Sequence, residues 1–130
     1  MYILDTNTLI YFFKGQGRVA ERLFREAPAD IAIPAVVIFE LQTGIEKSAS
    51  PRKRTRQLNS LMDAIKVLPF STDEAKASAA IRAQLEKKGT PIGPYDVMIA
   101  GTALAHQATL VSHNLTEFKR VKGLNTEDWF

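Results

Sequence analysis

The sequence contains no cysteine and only two histidines among 130 residues. The absence of cysteine excludes disulfide bonds, thiol catalysis and thiolate metal sites, and it fits a reducing compartment. With so little histidine, any metal site in this chain would have to rely mainly on oxygen ligands. Such a site would favour a hard ion over zinc.

Long hydrophobic runs are also missing. The longest apolar stretches, residues 31–41 and 97–104, are too short or too interrupted to span a bilayer. The first residues show no basic stretch followed by a long apolar run, so we expect no signal peptide. These absences predict a cytoplasmic protein without a membrane partner.

What is present is an ordinary globular composition, with 45% hydrophobic residues. The length predicts a single domain over residues 1–130. The net charge of +3 is mild and permits a nucleic-acid partner without requiring one. Five basic residues lie within ten positions and are candidate contacts to RNA phosphates, although a solvated helix face would look the same. They are Lys47, Arg52, Lys53, Arg54 and Arg56.

Strand and helix patterns alternate along the chain. Short apolar runs predict strands at residues 2–4, 31–33, 66–68 and 109–112, with a further strand near 124–125. Helical spacing and capping signals predict helices at residues 8–13, 18–27, 35–46, 51–65, 71–88 and 94–107, and a short one near 116. This alternation predicts an α/β fold with a parallel sheet of about four or five strands, covered by helices on both faces.

Several acidic and amide side chains fall where such a sheet would carry its ligand site, past the carboxyl ends of the strands. Asp5 follows the first strand, and Asn114 and Glu117 follow the fourth. Glu40 interrupts an apolar helix, and Asp96 lies in the first turn of another. Three of these residues also have a purely structural interpretation. Asp5 could cap a helix, Glu40 could lie on the solvent-exposed stripe of its helix, and Asp96 could complement a helix dipole.

Taken together, these residues predict a cation site. Crowded carboxylates repel one another unless a positive charge neutralises them, and oxygen ligands suit Mg²⁺, with Mn²⁺ as a substitute. Such a site is suited to the hydrolysis of a phosphodiester.

Four blocks of the sequence, in this order and spacing, are similar to the PIN-domain ribonucleases, and among them to the VapC toxins of type II VapBC toxin–antitoxin systems. The blocks read YILDTNTLI, VIFELQTGIEKS, KKGTPIGPYDVMIAGTALA and LVSHNLTEFKRVKGLNTEDW. The resemblance implies a PIN-like three-layer α/β/α sandwich and a Mg²⁺-dependent endoribonuclease. It implies that Asp5, Glu40 and Asp96 bind the metal and activate water.

The same resemblance implies partners. The expected substrate is a structured RNA, with tRNA and in particular initiator tRNA favoured, so that cleavage inhibits translation. A VapB antitoxin would neutralise the enzyme, and the chain would form a homodimer and a larger hetero-oligomer with that antitoxin. The apolar faces of the second and third helices are candidate surfaces for a partner, and ordinary core packing would give the same pattern.

One position departs from the family. Many PIN domains have an aspartate shortly after the last strand where this chain has Asn114, and Glu117 is the candidate to replace it as a fourth catalytic acid. Thr6 and Asn7 are expected to support the first loop, with the Thr6 hydroxyl or the Asn7 amide orienting Asp5.

Two other functions remain open from the sequence. A PIN-like RNA-binding or regulatory protein without catalysis is compatible with Asn114. A phosphatase of the haloacid dehalogenase type is the weaker alternative, because its motif requires an aspartate at position 7, where this chain has Asn7.

Overall fold

The computed structural model describes all 130 residues, which form five short strands and seven α-helices. No helix combines the length and apolar character that crossing a membrane requires. The elements in chain order are β1 (Tyr2–Leu4), α1 (Thr6–Lys14), α2 (Val19–Arg25), a 3-10 turn (Pro28–Asp30), β2 (Ile31–Pro34), α3 (Ala35–Glu46), α4 (Pro51–Ala64), β3 (Lys66–Leu68), α5 (Thr72–Lys87), α6 (Pro94–Ala105), β4 (Thr109–Val111), α7 (Leu115–Phe118) and β5 (Asn125–Glu127).

The five strands form one fully parallel sheet in the order β3-β2-β1-β4-β5. With helices on both faces, this is the predicted three-layer α/β/α sandwich. The chain winds outward in one direction from β1 through β2 to β3 and in the other from β4 to β5. The topological switch point therefore lies between β1 and β4, where Leu4 pairs with Val111.

The central strands are hydrophobic on both sides because helices cover both faces of the sheet. Ile3, Leu4, Ile33 and Leu110 are fully buried, and they belong to one continuous core of 28 residues. The closest helix contact is between α5 and α6. A Cβ at Gly101 of α6 would overlap the backbone and hydroxyl of Ser78, so only glycine permits this approach.

The predicted ends of several elements needed correction. The first helix begins at Thr6 rather than residue 8, because Asp5 accepts a hydrogen bond from the Thr8 amide and so caps it. The second helix is shorter than residues 18–27, and the sixth ends at Ala105 rather than 107. Ser50 stands at the N-cap position of α4, but its side chain makes no capping bond. At the start of α5 the Glu74 carboxylate accepts from the Ser71 amide at 2.9 Å, which is the capping-box interaction.

A candidate acidic active site and a separate apolar groove

The candidate site lies at the carboxyl edge of the sheet, next to the switch point. Asp5 directly follows β1, and its amide donates to the Val111 carbonyl of β4 at 3.1 Å. α3 follows β2 and therefore begins at this edge. α6 leads into β4, so its first turn lies at the same edge. Glu40 and Asp96 are thereby carried toward Asp5, as predicted from their positions in the sequence.

Asp5 is a buried carboxylate with two hydrogen-bond partners. Its Oδ1 accepts from the Thr8 amide at 2.9 Å, and its Oδ2 accepts from the Ser112 hydroxyl at 2.6 Å. Burial raises the pKa of Asp5, and the charge of Asp128 acts in the same direction, while the hydrogen bonds from Ser112 and Thr8 oppose the rise. Asp5 is both a helix cap and an acid at the end of a strand, so the two interpretations of the sequence hold together.

Glu40 is half-buried and is oriented by Thr6, which was predicted from the sequence to orient Asp5. The Thr6 hydroxyl donates to Glu40 Oε1 at 2.7 Å, so Thr6 orients Glu40 and not Asp5. The reason is geometric, because Thr6 is the first residue of α1 and its side chain meets the second turn of α3. The other carboxylate oxygen of Glu40 has no hydrogen-bond partner in the chain. Asn7 is exposed and forms no side-chain hydrogen bond, so the structure gives it no contact with Asp5.

The pKa of Asp96 is influenced by three neighbouring acids, so the four carboxyl groups lie close together. Burial raises its pKa, and the neighbouring Glu117 carboxyl raises it further by hydrogen bonding and charge, with smaller contributions from Asp5 and Glu40. The resulting pKa of Asp96 is about 7. Asp96 and Glu117 therefore lie close enough to share a proton.

The segment after β4 positions the fourth acid. Ser112 is fully buried, and its hydroxyl accepts from the Asn114 amide at 2.9 Å while donating to Asp5. The Asn114 side-chain amide in turn donates to Glu117 Oε2 at 3.0 Å. Asn114 thus helps to orient the Glu117 carboxylate. Ser112, which links this segment to Asp5, was missed from the sequence because nothing in its immediate neighbours marks it.

The donor set fits a hard divalent cation in chemistry and charge. None of the five ion pairs in the chain involves Asp5, Glu40, Asp96 or Glu117, so four carboxyl groups converge without a basic partner. Their side chains, as placed, do not form a closed set of three ligands. Holding an ion between them would require side-chain rotation, and one oxygen of Glu40 forms no hydrogen bond that would have to be broken.

The predicted RNA-contacting residues separate into three groups. Arg54 lines a cavity of about 290 Å³ together with Glu40, and Lys14 of α1 lines the same cavity. Lys53 and Arg56 line a different cavity, described below, while Lys47 and Arg52 are exposed. Lys14 was missed because it stands alone in the sequence and joins Arg54 only through the packing of α1 against α3 and α4.

An apolar groove lies between α1, α2 and α4, away from the carboxyl edge. Its volume is about 680 Å³, and Phe24 on its wall is 75% exposed. Phe24 contacts Phe12 with ring centroids 5.9 Å apart. We call this surface the α2–α4 groove, and its lining includes Phe12, Phe13, Leu23, Phe24, Lys53, Arg56, Leu61 and Ile65.

This architecture, a parallel α/β sandwich with acids at its switch point, defines the class of the protein, and comparison with known families agrees. Residues 2–124 match the family model described as the PIN domain. The tRNA(fMet)-specific endonuclease VapC of Salmonella typhimurium is 37% identical over 128 residues, which are 98% of this chain and 97% of that protein.

Two solved structures have nearly the same fold. One is DNA-bound VapBC from Salmonella typhimurium, with a TM-score of 0.93, 37% identity, and coverage of 99% of this chain and 98% of that one. The other is VapBC2 from Rickettsia felis bound to a promoter DNA fragment, with a TM-score of 0.92, 34% identity, and the same coverage. The chain therefore belongs to the PIN-domain family and, within it, to the VapC proteins.

Proposed function

We propose that this protein is a divalent-metal-dependent endoribonuclease and the toxin of a type II toxin–antitoxin pair. The convergence of Asp5, Glu40, Asp96 and Glu117 without a basic partner is the observation that carries the proposal. A folded protein has no structural reason to collect four mutually repelling acids at the edge of its sheet. The name of the Salmonella relative, an endonuclease, supports the same activity.

In this proposal Asp5, Glu40 and Asp96 would hold Mg²⁺, with Mn²⁺ as a substitute, and Glu117 is the fourth acid. The ion, when bound, supplies Lewis-acid chemistry for hydrolysis of an RNA phosphodiester. The chain supplies the orientation. Ser112 and the Thr8 amide fix the Asp5 carboxylate, and Thr6 fixes Glu40.

Proton release and cation binding are linked at this site. In the metal-free protein Asp96 has a pKa of about 7, so at neutral pH a proton partly occupies the carboxyl group that would hold the cation. Glu117 lies beside it and can share that proton. Occupation of the site by a cation would lower the pKa of Asp96, because the ion stabilises the charged carboxylate.

We propose structured RNA as the substrate, with initiator tRNA favoured because the Salmonella relative is named for that specificity. Cleavage of initiator tRNA would inhibit translation, and the enzyme would act in the cytoplasm, where tRNA is found. Lys14 and Arg54 border the cavity that contains Glu40, and they are placed to contact phosphates next to the scissile bond. The 130 residues would act as one PIN domain.

We also propose a VapB antitoxin as the inhibitor, because the similar solved structures are VapBC complexes. The α2–α4 groove suits an amphipathic segment of that partner. Its floor is apolar, and Lys53 and Arg56 at its side can pair with acidic residues of the incoming chain. The two basic residues would then serve the antitoxin rather than RNA.

A second copy of the chain has its own candidate surface. Phe39 of α3 and Tyr95 of α6 are 54% and 43% exposed, and their ring centroids are 5.5 Å apart. We propose that this aromatic pair is covered in a homodimer. Light scattering of the wild type and of Phe39→Asp would test it, with a dimer expected for the first and a monomer for the second.

The experiment for the enzymatic proposal is a cleavage assay with purified protein, free of antitoxin, and total tRNA in Mg²⁺. Discrete fragments are expected, and they should disappear with EDTA and with Asp96→Asn. Cleavage that persists in EDTA would overturn metal dependence. Intact tRNA and ribosomal RNA in both Mg²⁺ and Mn²⁺ would overturn the ribonuclease, and the non-catalytic RNA-binding function would take its place.

A further inference from the structure

Three aromatic rings form a cluster that the proposed chemistry does not use. His113 stacks on Phe130 with ring centroids 4.3 Å apart and an angle of 23° between the planes. Tyr11 meets both rings edge-on, at 5.9 Å from His113 and 4.8 Å from Phe130. The His113 side chain is nevertheless 45% exposed and Phe130 is 41% exposed. The cluster is ordered but not buried.

Hydrogen bonds fix this cluster more firmly than surface rings require. Asp128 pairs with His113 Nδ1 through Oδ2 at 2.9 Å and accepts the Phe130 amide through Oδ1 at 2.9 Å. The Phe130 carbonyl accepts from the Arg18 amide at 2.8 Å. Gly17, with φ of +62°, leaves the space, because a Cβ there would come within 2.8 Å of the Phe130 ring.

The cluster borders the acidic site. His113 directly follows Ser112, whose hydroxyl donates to Asp5. It directly precedes Asn114, which donates to Glu117. Asp128, the partner of His113, is close enough to Asp5 for its charge to raise the pKa of that acid. The exposed rings therefore lie beside the carboxylates that would face the scissile phosphate.

We propose that the His113–Phe130 stack is a platform for one unpaired base of the RNA, next to the cleavage point. Every nucleobase has a π face, so a rigid exposed ring pair binds a flipped or looped base without requiring a particular sequence. Holding the base would fix the position of the neighbouring phosphate over Asp5 and Asp96. His113 and Phe130 are thus positioning residues, and this inference depends on the proposed ribonuclease function.

The test is binding of a short single-stranded RNA that carries one 2-aminopurine, measured in EDTA so that cleavage plays no part. The wild type should quench the probe, since 2-aminopurine loses fluorescence when it stacks. His113→Ala and His113→Leu should bind about tenfold more weakly and lose the quenching, because they lack an aromatic face. His113→Phe, which keeps a flat ring, should restore both. Val67→Ala, which shortens an exposed apolar side chain on the edge strand β3, is the control and should bind like the wild type.

Cleavage kinetics separate positioning from a purely structural role. His113→Leu should raise KM with little change in kcat, and its melting temperature should stay near that of the wild type. Equal binding and quenching by the wild type, His113→Ala and His113→Leu would overturn the platform, as would failure of the wild type to bind the probe. If the wild type stacks the base but cleaves no RNA, the platform stands and the proposed nuclease function fails.

Discussion

The acidic edge and the α2–α4 groove are built by opposite means. At the edge, polar side chains are fixed by short hydrogen bonds, and the charges that result have no basic partner. In the groove, apolar rings lie open to water, and Phe24 is 75% exposed. At the edge the acids are oriented but form no ion pair, whereas the rings of the groove are not covered by other apolar side chains. This difference is the reason that we propose a cation for the first surface and a polypeptide for the second.

The largest expected effect on RNA cleavage comes from removing one of the acids at the carboxyl edge of the sheet. Asp96→Asn should reduce RNA cleavage by at least about a hundredfold, since it removes one of the three proposed metal ligands. Initial rates on tRNA in Mg²⁺ measure this. The matched control is Asp63→Asn, which neutralises an exposed acid of α4 and should cleave normally. Equal loss in both variants would show that the effect is one of net charge.

A charge placed in the α2–α4 groove should weaken antitoxin binding and leave RNA cleavage unchanged. Phe24→Asp should weaken antitoxin binding by about 10- to 100-fold, because it places a charge in an apolar interface. RNA cleavage without antitoxin should be unchanged. Calorimetric titration with the antitoxin measures the affinity.

Ala83→Asp, which adds the same charge to an exposed position of α5, is the control for the groove variant and should bind the antitoxin normally. Loss of cleavage in Phe24→Asp would mean that the two surfaces are not independent.

Loss of the hydrogen bonds that orient the acids should lower cleavage less than loss of an acid itself. Ser112→Ala and Thr6→Val should each lower cleavage by about tenfold, because they release Asp5 and Glu40 from their fixed orientations. Ser112→Ala should also require more Mg²⁺, since the serine hydroxyl keeps the pKa of Asp5 from rising further. Thr43→Val, which removes an exposed hydroxyl of α3 bonded to its own helix, should have no effect. A Mg²⁺ requirement that is the same in Ser112→Ala and wild type would contradict the role of Ser112.

The smallest effect is on stability. The pKa of Asp96 is raised to about 7 in the folded protein, so between about pH 4 and pH 7 the folded state holds a proton that the unfolded state releases. The metal-free protein should therefore lose stability as pH rises through this window. Asp96→Asn should remove that slope and raise the unfolding free energy at pH 7 by about 1 kcal/mol, a value reduced for solvent screening of a half-buried group.

Urea unfolding of wild type and Asp96→Asn at several pH values, in EDTA, measures the difference. A strong loss of stability in the variant would instead mean that the main role of Asp96 is to stabilise the first turn of α6. Added Mg²⁺ should stabilise the wild type and leave the variant nearly unaffected.

The sequence predicted the parts of the site that depend on where elements begin and end. The sequence placed Asp5 and Asp96 at one edge because the ends of parallel strands and the starts of helices meet there, and it singled out Glu40 as an acid inside an apolar helical run. The role of these three residues as metal ligands stays a prediction. The partner of Thr6 was predicted wrongly, because it lies on another helix 34 positions away. Ser112 and Lys14 were missed for the same reason, since each acts through tertiary contacts. The α2–α4 groove depends on the distance between packed helices, which no local pattern encodes.

Binding of Mn²⁺, measured by electron paramagnetic resonance, tests directly whether the four acids form a cation site, without relying on activity. Free Mn²⁺ gives a sharp signal that disappears on binding. We expect saturable loss of this signal with wild-type protein, and no comparable loss with the Asp5→Asn/Asp96→Asn double variant at the same concentration. The same loss of signal with both proteins, or none with the wild type, would contradict it.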